Sequence, residues 1–175
     1  MLNVKLKQRN CKVCHTKFMP DRPLQSVCSI KCARIQADRV RDKTEKKDYK
    51  LAKERLKTRG DWAKEAQAAF NGWIRRRDEG KPCISCGSLT GKKNAGHYRS
   101  VGSCPELRFE PLNVHLQCEK CNSYLSGNLI EYRKELINRI GLDGVEFLEG
   151  PHPPKKYSID DLKALKSVYR KMKGE

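Results

Sequence analysis

Nowhere in its 175 residues does this chain string together the roughly 18 apolar residues that cross a bilayer. Residues Met1 to Lys7 also lack the apolar run of a secretory signal. The expectation is a soluble, cytoplasmic protein with no membrane partner. Aromatic residues are scarce, at 7%, and do not gather into a base-stacking platform, which argues against an RNA-binding zinc protein. No segment repeats with a period of about 20 to 50 residues, so a solenoid is excluded. Acidic residues are few: 21 Asp and Glu stand against 38 Lys and Arg, a formal net charge of +17. A surface so basic repels its own copies and attracts a polyanion, which makes nucleic acid the default partner.

What is present is as pointed as what is missing. A chain with 37% hydrophobic and 34% charged residues makes one ordinary domain or two small ones with a modest core, so metal is expected to share in the folding. Nine cysteines in a chain without an export signal fit metal better than disulfides. Eight fall into two quartets: Cys11, Cys14, Cys28 and Cys32, with 13 residues between the pairs, and Cys83, Cys86, Cys118 and Cys121, with 31 between. Paired thiolates at such spacing read as two structural zinc sites. Cys11-x-x-Cys14-His15 also matches a haem-attachment string, but that chemistry leaves Cys28 and Cys32 unused. Cys104 is left over and reads as a small buried thiol.

The charge is unevenly spread, with +12 of the +17 on the first 59 residues. Residues 1–32 form a zinc module. Residues 33–59 read as an exposed basic helical arm, in part without order, whose Lys43, Lys46, Lys47, Lys50, Lys53 and Arg55 would grip a phosphate backbone. Its scattered apolar positions keep no heptad, so a homodimer through this arm is compatible with the sequence but not specified by it. In residues 60–175, Asp61 offers an N-cap to a helix that turns Trp62, Ala66, Ala69, Phe70 and Trp73 to one side. The Gly-, Ser- and Asn-rich stretch from Cys83 to Asn122 predicts short strands and loops. Helical period returns near Tyr124 through Leu125, Leu129, Tyr132, Leu136 and Ile140. A last helix follows a box-like cap, Ser158-Ile159-Asp160-Asp161, with Leu162, Leu165, Val168, Tyr169 and Met172 as its apolar side.

Between and beside the second quartet stand His97, Asn113 and Asn122. An imidazole can take a proton from water near neutral pH, and an amide oxygen can help hold a hard divalent cation beside a phosphate. A lone histidine is more often packed than catalytic; the two amides near a cysteine pair are what single this one out. His115, between Val114 and Leu116, reads as a histidine bonded inside the fold.

These residues resemble a known family. Pro82-Cys83-Ile84-Ser85-Cys86-Gly87, Ala95-Gly96-His97-Tyr98-Arg99, Leu107-Arg108-Phe109, Asn113-Val114-His115-Leu116-Gln117-Cys118 and Cys121-Asn122 with Ser126-Gly127-Asn128-Leu129 look like an HNH, or ββα-metal, nuclease with a zinc-knuckle pair. The whole chain is similar to the bacteriophage lambda NinG (Rap) family of recombination endonucleases. The resemblance implies a small, zinc-stabilised α+β fold with an HNH-like ββα-metal core, flanking helices and a separate N-terminal zinc module. It implies His97 as general base, Asn113 as brace of the loop that orients it, and Asn122 as ligand of a catalytic Mg²⁺ or Mn²⁺. Arg99 or Arg108 would hold a flanking phosphate. The implied substrate is branched DNA, such as D-loops and Holliday-type junctions. Gly96 departs from the pattern, since the position before the base commonly carries an acidic or His ligand; His115, Glu106 and Glu110 are candidates to replace it. The alternative is a zinc-dependent DNA-binding or recombination-mediator protein that cuts nothing.

Overall fold

Ser29 and Thr58 start the two longest uninterrupted helices of the chain, and they lie in different structural units. The computed structural model describes residues 6–173 and separates into Met1–Lys57 and Thr58–Glu175. In the first unit, β1 (Arg9–Asn10) pairs antiparallel with β2 (Lys17–Phe18), and the turn between them carries Cys11 and Cys14. Helix α1 (Ile30–Arg55) begins where Ser29 Oγ accepts a hydrogen bond from Cys32 N at 3.3 Å. The segment expected to be partly without order is instead one continuous helix of 26 residues, about 39 Å long at the ordinary helical rise. Only Cys32 is buried along it, so its helicity rests on Ala-, Lys-, Arg- and Glu-rich propensity and not on packing.

The second unit is layered around one hairpin. Strand β3 (Lys93–His97) pairs antiparallel with β4 (Val114–Cys118), His97 opposite Val114 and Lys93 opposite Cys118. On one face lies α2 (Arg59–Arg77), which places Trp62, Ala66, Phe70, Trp73 and Ile74 in a cluster with Phe109, Val114 and, from α4 (Ile159–Lys171), Leu162 and Tyr169. On the other lies α3 (Leu129–Glu149), whose Tyr132, Leu136, Val145 and Leu148 pack with Ile84, Tyr98, Cys104 and Leu107. Among the described residues, no helix is long and apolar enough to cross a membrane.

Local chemistry explains the element boundaries, including those that depart from expectation. Asp61 is not the N-cap of α2: Thr58 is, and Asp61 closes the reciprocal box by accepting from the Thr58 backbone N–H at 3.0 Å. The capping box of α4 is present as read, with Ser158 and Asp161. The helix expected from Tyr124 starts at Leu129, because Ser126, Gly127 and Asn128 all take positive φ and a right-handed helix cannot run through them. A π-helical turn, Lys120–Tyr124, precedes this reversal, and Leu125 and Leu129 stay exposed. Gly141, at φ 77°, then breaks α3 so that its second half folds back to bury Val145 and Leu148. Val168 of α4 and Met172, at its C-cap, are likewise exposed and contribute no core.

A buried polar node fastens α2 to the hairpin. Asp78, 1% exposed, accepts from Arg77 at 2.8 and 2.9 Å and from Leu116 N at 3.1 Å. Arg77 continues to the carbonyls of Pro111 (2.9 Å) and Val114 (2.7 Å). Burial pushes the Asp78 carboxyl up, but Arg77 and the Leu116 N–H outweigh it and bring the group down to about 2. Asp78→Ala leaves the Arg77 guanidinium without its counter-charge and is expected to destabilise this unit by about 3–5 kcal/mol, read as a shift of the denaturant midpoint. Since the folded value lies below the ordinary 3.8, this contribution is complete above that pH and is lost as pH falls from 3.8 towards about 2.

Candidate functional site

Each cysteine quartet is brought together as a cluster in which all four sulfurs lie within 4.8 Å of one another. Cys14 and Cys28 Sγ are 3.5 Å apart, Cys28 and Cys32 3.8 Å, and Cys86 and Cys118 3.7 Å. A tetrahedral zinc with bonds of about 2.3 Å requires sulfurs about 3.8 Å apart, whereas a disulfide would need about 2.05 Å. Both quartets can therefore hold zinc, and Cys104, buried elsewhere, belongs to neither. In the second quartet, Cys118 N donates to Cys83 Sγ (3.3 Å) and Asn128 Nδ2 to Cys121 Sγ (3.6 Å). Burial pushes the Cys83 thiol up, yet the backbone N–H groups of Cys118, Cys86 and Ser85 prevail and lower it to about 7.

His97 ends β3, half-buried, with its ring 6.5 Å from that of Phe70. Its Nε2 lies 3.1 Å from the Arg108 carbonyl oxygen. A carbonyl only accepts, so Nε2 carries the proton, and in the neutral ring Nδ1 keeps its lone pair. Burial, with the Arg108 charge adding to it, lowers the His97 pKa below the usual 6.5 despite the bond to that carbonyl. The ring is therefore neutral at physiological pH and presents one nitrogen as a base.

The loop from Arg99 to Asn113 holds this arrangement. Asn113 is fully buried: its Oδ1 accepts from Arg99 N at 2.7 Å, and its Nδ2 donates to the carbonyls of Arg99 (3.0 Å) and Leu107 (3.1 Å). Tyr98 N donates to the Asn113 carbonyl at 2.8 Å. Three side-chain bonds from one amide thus fix both ends of the segment that delivers the Arg108 carbonyl to His97. Arg108 also donates through Nε to Gln67 Oε1 on α2 (2.9 Å) and lies over the Phe109 ring, which anchors its charge beside His97. Arg99 leans on the Cys104 sulfur.

Asn122 is placed differently. It lies in the π-helical turn beyond Cys118, at the end of the hairpin where Cys118 pairs with Lys93; His97 is four residues further along β3, about 13 Å by strand rise. The two amides are therefore held by different parts, Asn113 by the loop and Asn122 by the cysteine cluster. Among the described residues the Asn122 side chain, half-buried, makes no hydrogen bond. Lys43, Lys46, Lys47, Lys50, Lys53 and Arg55 are all exposed along α1, and among the described residues none enters an ion pair.

His115 is fully engaged. Its Nε2 donates to the Leu112 carbonyl at 3.1 Å, and Nδ1 faces Arg77 Nη2 at 3.2 Å. Burial first, then the Arg77 charge, lowers its pKa to about 4. Glu110 is occupied as well, accepting from Leu112 N at 3.2 Å. Sequence reasoning passed over Gln117, whose side chain is completely buried beside Gly96, and over Gln67 and Asp78; nothing in local pattern marks a polar residue as buried until the partners across the fold are known.

Comparison with known proteins points one way. The family profile described as "Bacteriophage Lambda NinG protein" matches residues 3–174. "Protein ninG" of Escherichia phage 933W is 40% identical over 182 residues, covering 93% of this chain and 90% of the relative. The proteins of the same name from Escherichia phage lambda (40% over 184 residues, 93% and 90%) and Salmonella phage P22 (39% over 184 residues, 93% and 91%) agree. No solved structure matches the chain. A profile running nearly end to end, and relatives near 40% identity along about nine-tenths of both lengths, establish that the chain belongs to the bacteriophage lambda NinG family.

Proposed function

We propose that this chain is a metal-dependent DNA endonuclease of the HNH, or ββα-metal, type that cuts branched recombination intermediates. The observation that carries the reading is the His97 ring: Nε2 is spent on the Arg108 carbonyl, Nδ1 is left basic, and the loop that sets this up is locked by a buried asparagine. The order β3, β4, turn, α3 agrees with a ββα unit.

In this reading His97 Nδ1 removes a proton from water, whose oxygen attacks phosphorus in line with the 3′ oxygen. The new P–O bond forms as the P–O3′ bond breaks, leaving 5′-phosphate and 3′-hydroxyl ends once the departing oxygen is protonated. A bound Mg²⁺ or Mn²⁺ would neutralise charge on the phosphate and the leaving oxygen, with the Asn122 amide among its ligands. In this reading Arg108, tied to α2 through Gln67, holds a neighbouring phosphate. The unpaired cations of α1 supply a long-range, salt-dependent grip on the backbone.

The test is a labelled four-way junction incubated with the zinc-loaded protein and Mg²⁺ or Mn²⁺, with a chelator control. Metal-dependent nicks near the branch support the proposal; binding with no cutting in either metal assigns the chain to DNA-binding mediators instead. Shape recognition is tested separately. A four-way junction is expected to outcompete a linear duplex of equal length for the protein at physiological salt, and equal competition would leave a nuclease without junction preference.

A further inference from the structure

We propose that Gln117 supplies the oxygen that the position before His97 lacks, its amide carbonyl facing the divalent cation; this inference rests on the nuclease reading above. Gly96 and Gln117 are diagonal neighbours on the α3-facing side of the hairpin, Gly96 opposite His115 and Gln117 opposite Asn94. A Cβ at position 96 would fall 2.9 Å from Gln117 Cβ and 3.0 Å from its Cδ, and closer still to Oε1. A side chain at 96 and the amide of Gln117 therefore compete for one volume, and here Gln117 holds it.

The orientation of that amide is fixed. Nε2 donates to Ser85 Oγ at 2.7 Å and to the Gly127 carbonyl at 2.6 Å. Reversing the amide would set two carbonyl oxygens against each other at that distance, so Oε1 must face the Gly96 side. There it is buried and makes no hydrogen bond. A buried acceptor left unpaired is costly and rare in a native fold, which points to a partner from outside the chain. An amide oxygen is a hard, neutral donor suited to Mg²⁺ or Mn²⁺.

Two further observations favour this residue. Of the three groups considered for the role, two are in use, His115 through both nitrogens and Glu110 at Leu112 N, while Glu106, half-buried in the turn Pro105–Leu107, keeps its carboxylate unbonded among the described residues. Gln117 also ties the Gly96 notch to the turn carrying Asn122, since its partner Gly127 bonds back to the Cys121 carbonyl at 2.9 Å and its partner Ser85 lies inside the Cys83–Cys86 knuckle. The two amide-bearing segments are thereby held against the same end of the fold.

The direct test uses the zinc-loaded wild-type chain without DNA. Substoichiometric Mn²⁺ is expected to broaden the Gln117 side-chain NH₂ signals in ¹⁵N-correlated NMR before those of Gln36 on α1 and Asn71 on α2, with the Gln117 pair assigned by its disappearance in Gln117→Met. The same variant, with both zincs retained, is expected to bind Mn²⁺ about 10–100-fold more weakly by EPR titration. Gln117 signals that stay sharp while Mn²⁺ binds overturn the inference and leave Oε1 satisfied by a buried water only. The nuclease reading is judged apart: a wild-type chain that cuts junctions while Gln117 stays sharp loses this inference alone, and one that broadens Gln117 but cuts nothing loses the nuclease reading alone.

Discussion

His97→Ala is expected to reduce junction cleavage by about 10²–10⁴-fold, the range a positioned general base contributes, while zinc content and junction affinity stay at wild-type levels. The ring reaches the rest of the protein by one hydrogen bond and an aromatic contact, and it touches neither cysteine quartet. Its removal leaves the Arg108 carbonyl short of a partner, a cost of about 1–3 kcal/mol that a thermal melt should register without loss of the folded state. The variant therefore separates chemistry from scaffold. A cleavage rate within twofold or so of wild type would remove His97 from the base role.

Metal removal is the second large effect. In the first unit only Cys11, Pro20 and Cys32 are buried among the described residues, so no apolar core remains once the sulfurs lose their ion. Structural zinc contributes about 10–16 kcal/mol of apparent binding free energy to such modules, more than a small domain's whole stability of about 5–15 kcal/mol. A strong chelator is expected to unfold residues 6–32, which carry the four cysteines, seen as collapse of amide dispersion there. The second unit keeps its α2–α4 cluster around Trp62 and Trp73, so tryptophan emission should change far less, while the end of the hairpin near Cys118 loosens and cleavage stops. Loss of both units together would show that the apolar clusters do not stand without metal. Amide dispersion in residues 6–32 that survived complete zinc removal would show that the cysteine-bearing module needs no ion.

The sequence was most informative where a rule is local. Cysteine spacing located both sulfur clusters, and the apolar side of α2 was legible from Trp62 to Trp73 because one helical face repeats the signal. The cap at Ser158 was legible for the same reason, and that at Thr58 could have been, since Thr58 and Asp61 stand three apart just as Ser158 and Asp161 do. The start of α3 was not, because Leu125 and Leu129 mimic a helical period while Ser126, Gly127 and Asn128 impose left-handed backbone. Least legible was the polar interior. Asp78 and Gln117 look like surface residues in the sequence, and only the packing of α2 and the hairpin turns them inward. His115 was read from its apolar neighbours as bonded within the fold, and its two nitrogens are so placed.

His115 also sets an acid limit. Held neutral with a folded pKa of about 4 against 6.5 when unfolded, it favours the folded state fully above pH 6.5, and this contribution declines as pH falls from 6.5 to about 4. Activity measured inside that window mixes catalysis with stability, which confines a kinetic test to conditions where a melt shows the fold intact.

Within that limit, the pH dependence of single-turnover junction cleavage tests the base assignment most directly. Burial holds the His97 pKa below 6.5, so the rate should be level from about pH 7 upward and fall roughly tenfold per unit below a midpoint under 6.5, and the limb should vanish in His97→Ala. A wild-type rate that keeps climbing through pH 8, or the same acid limb in the residual activity of His97→Ala, would contradict His97 as the group that takes the proton from water.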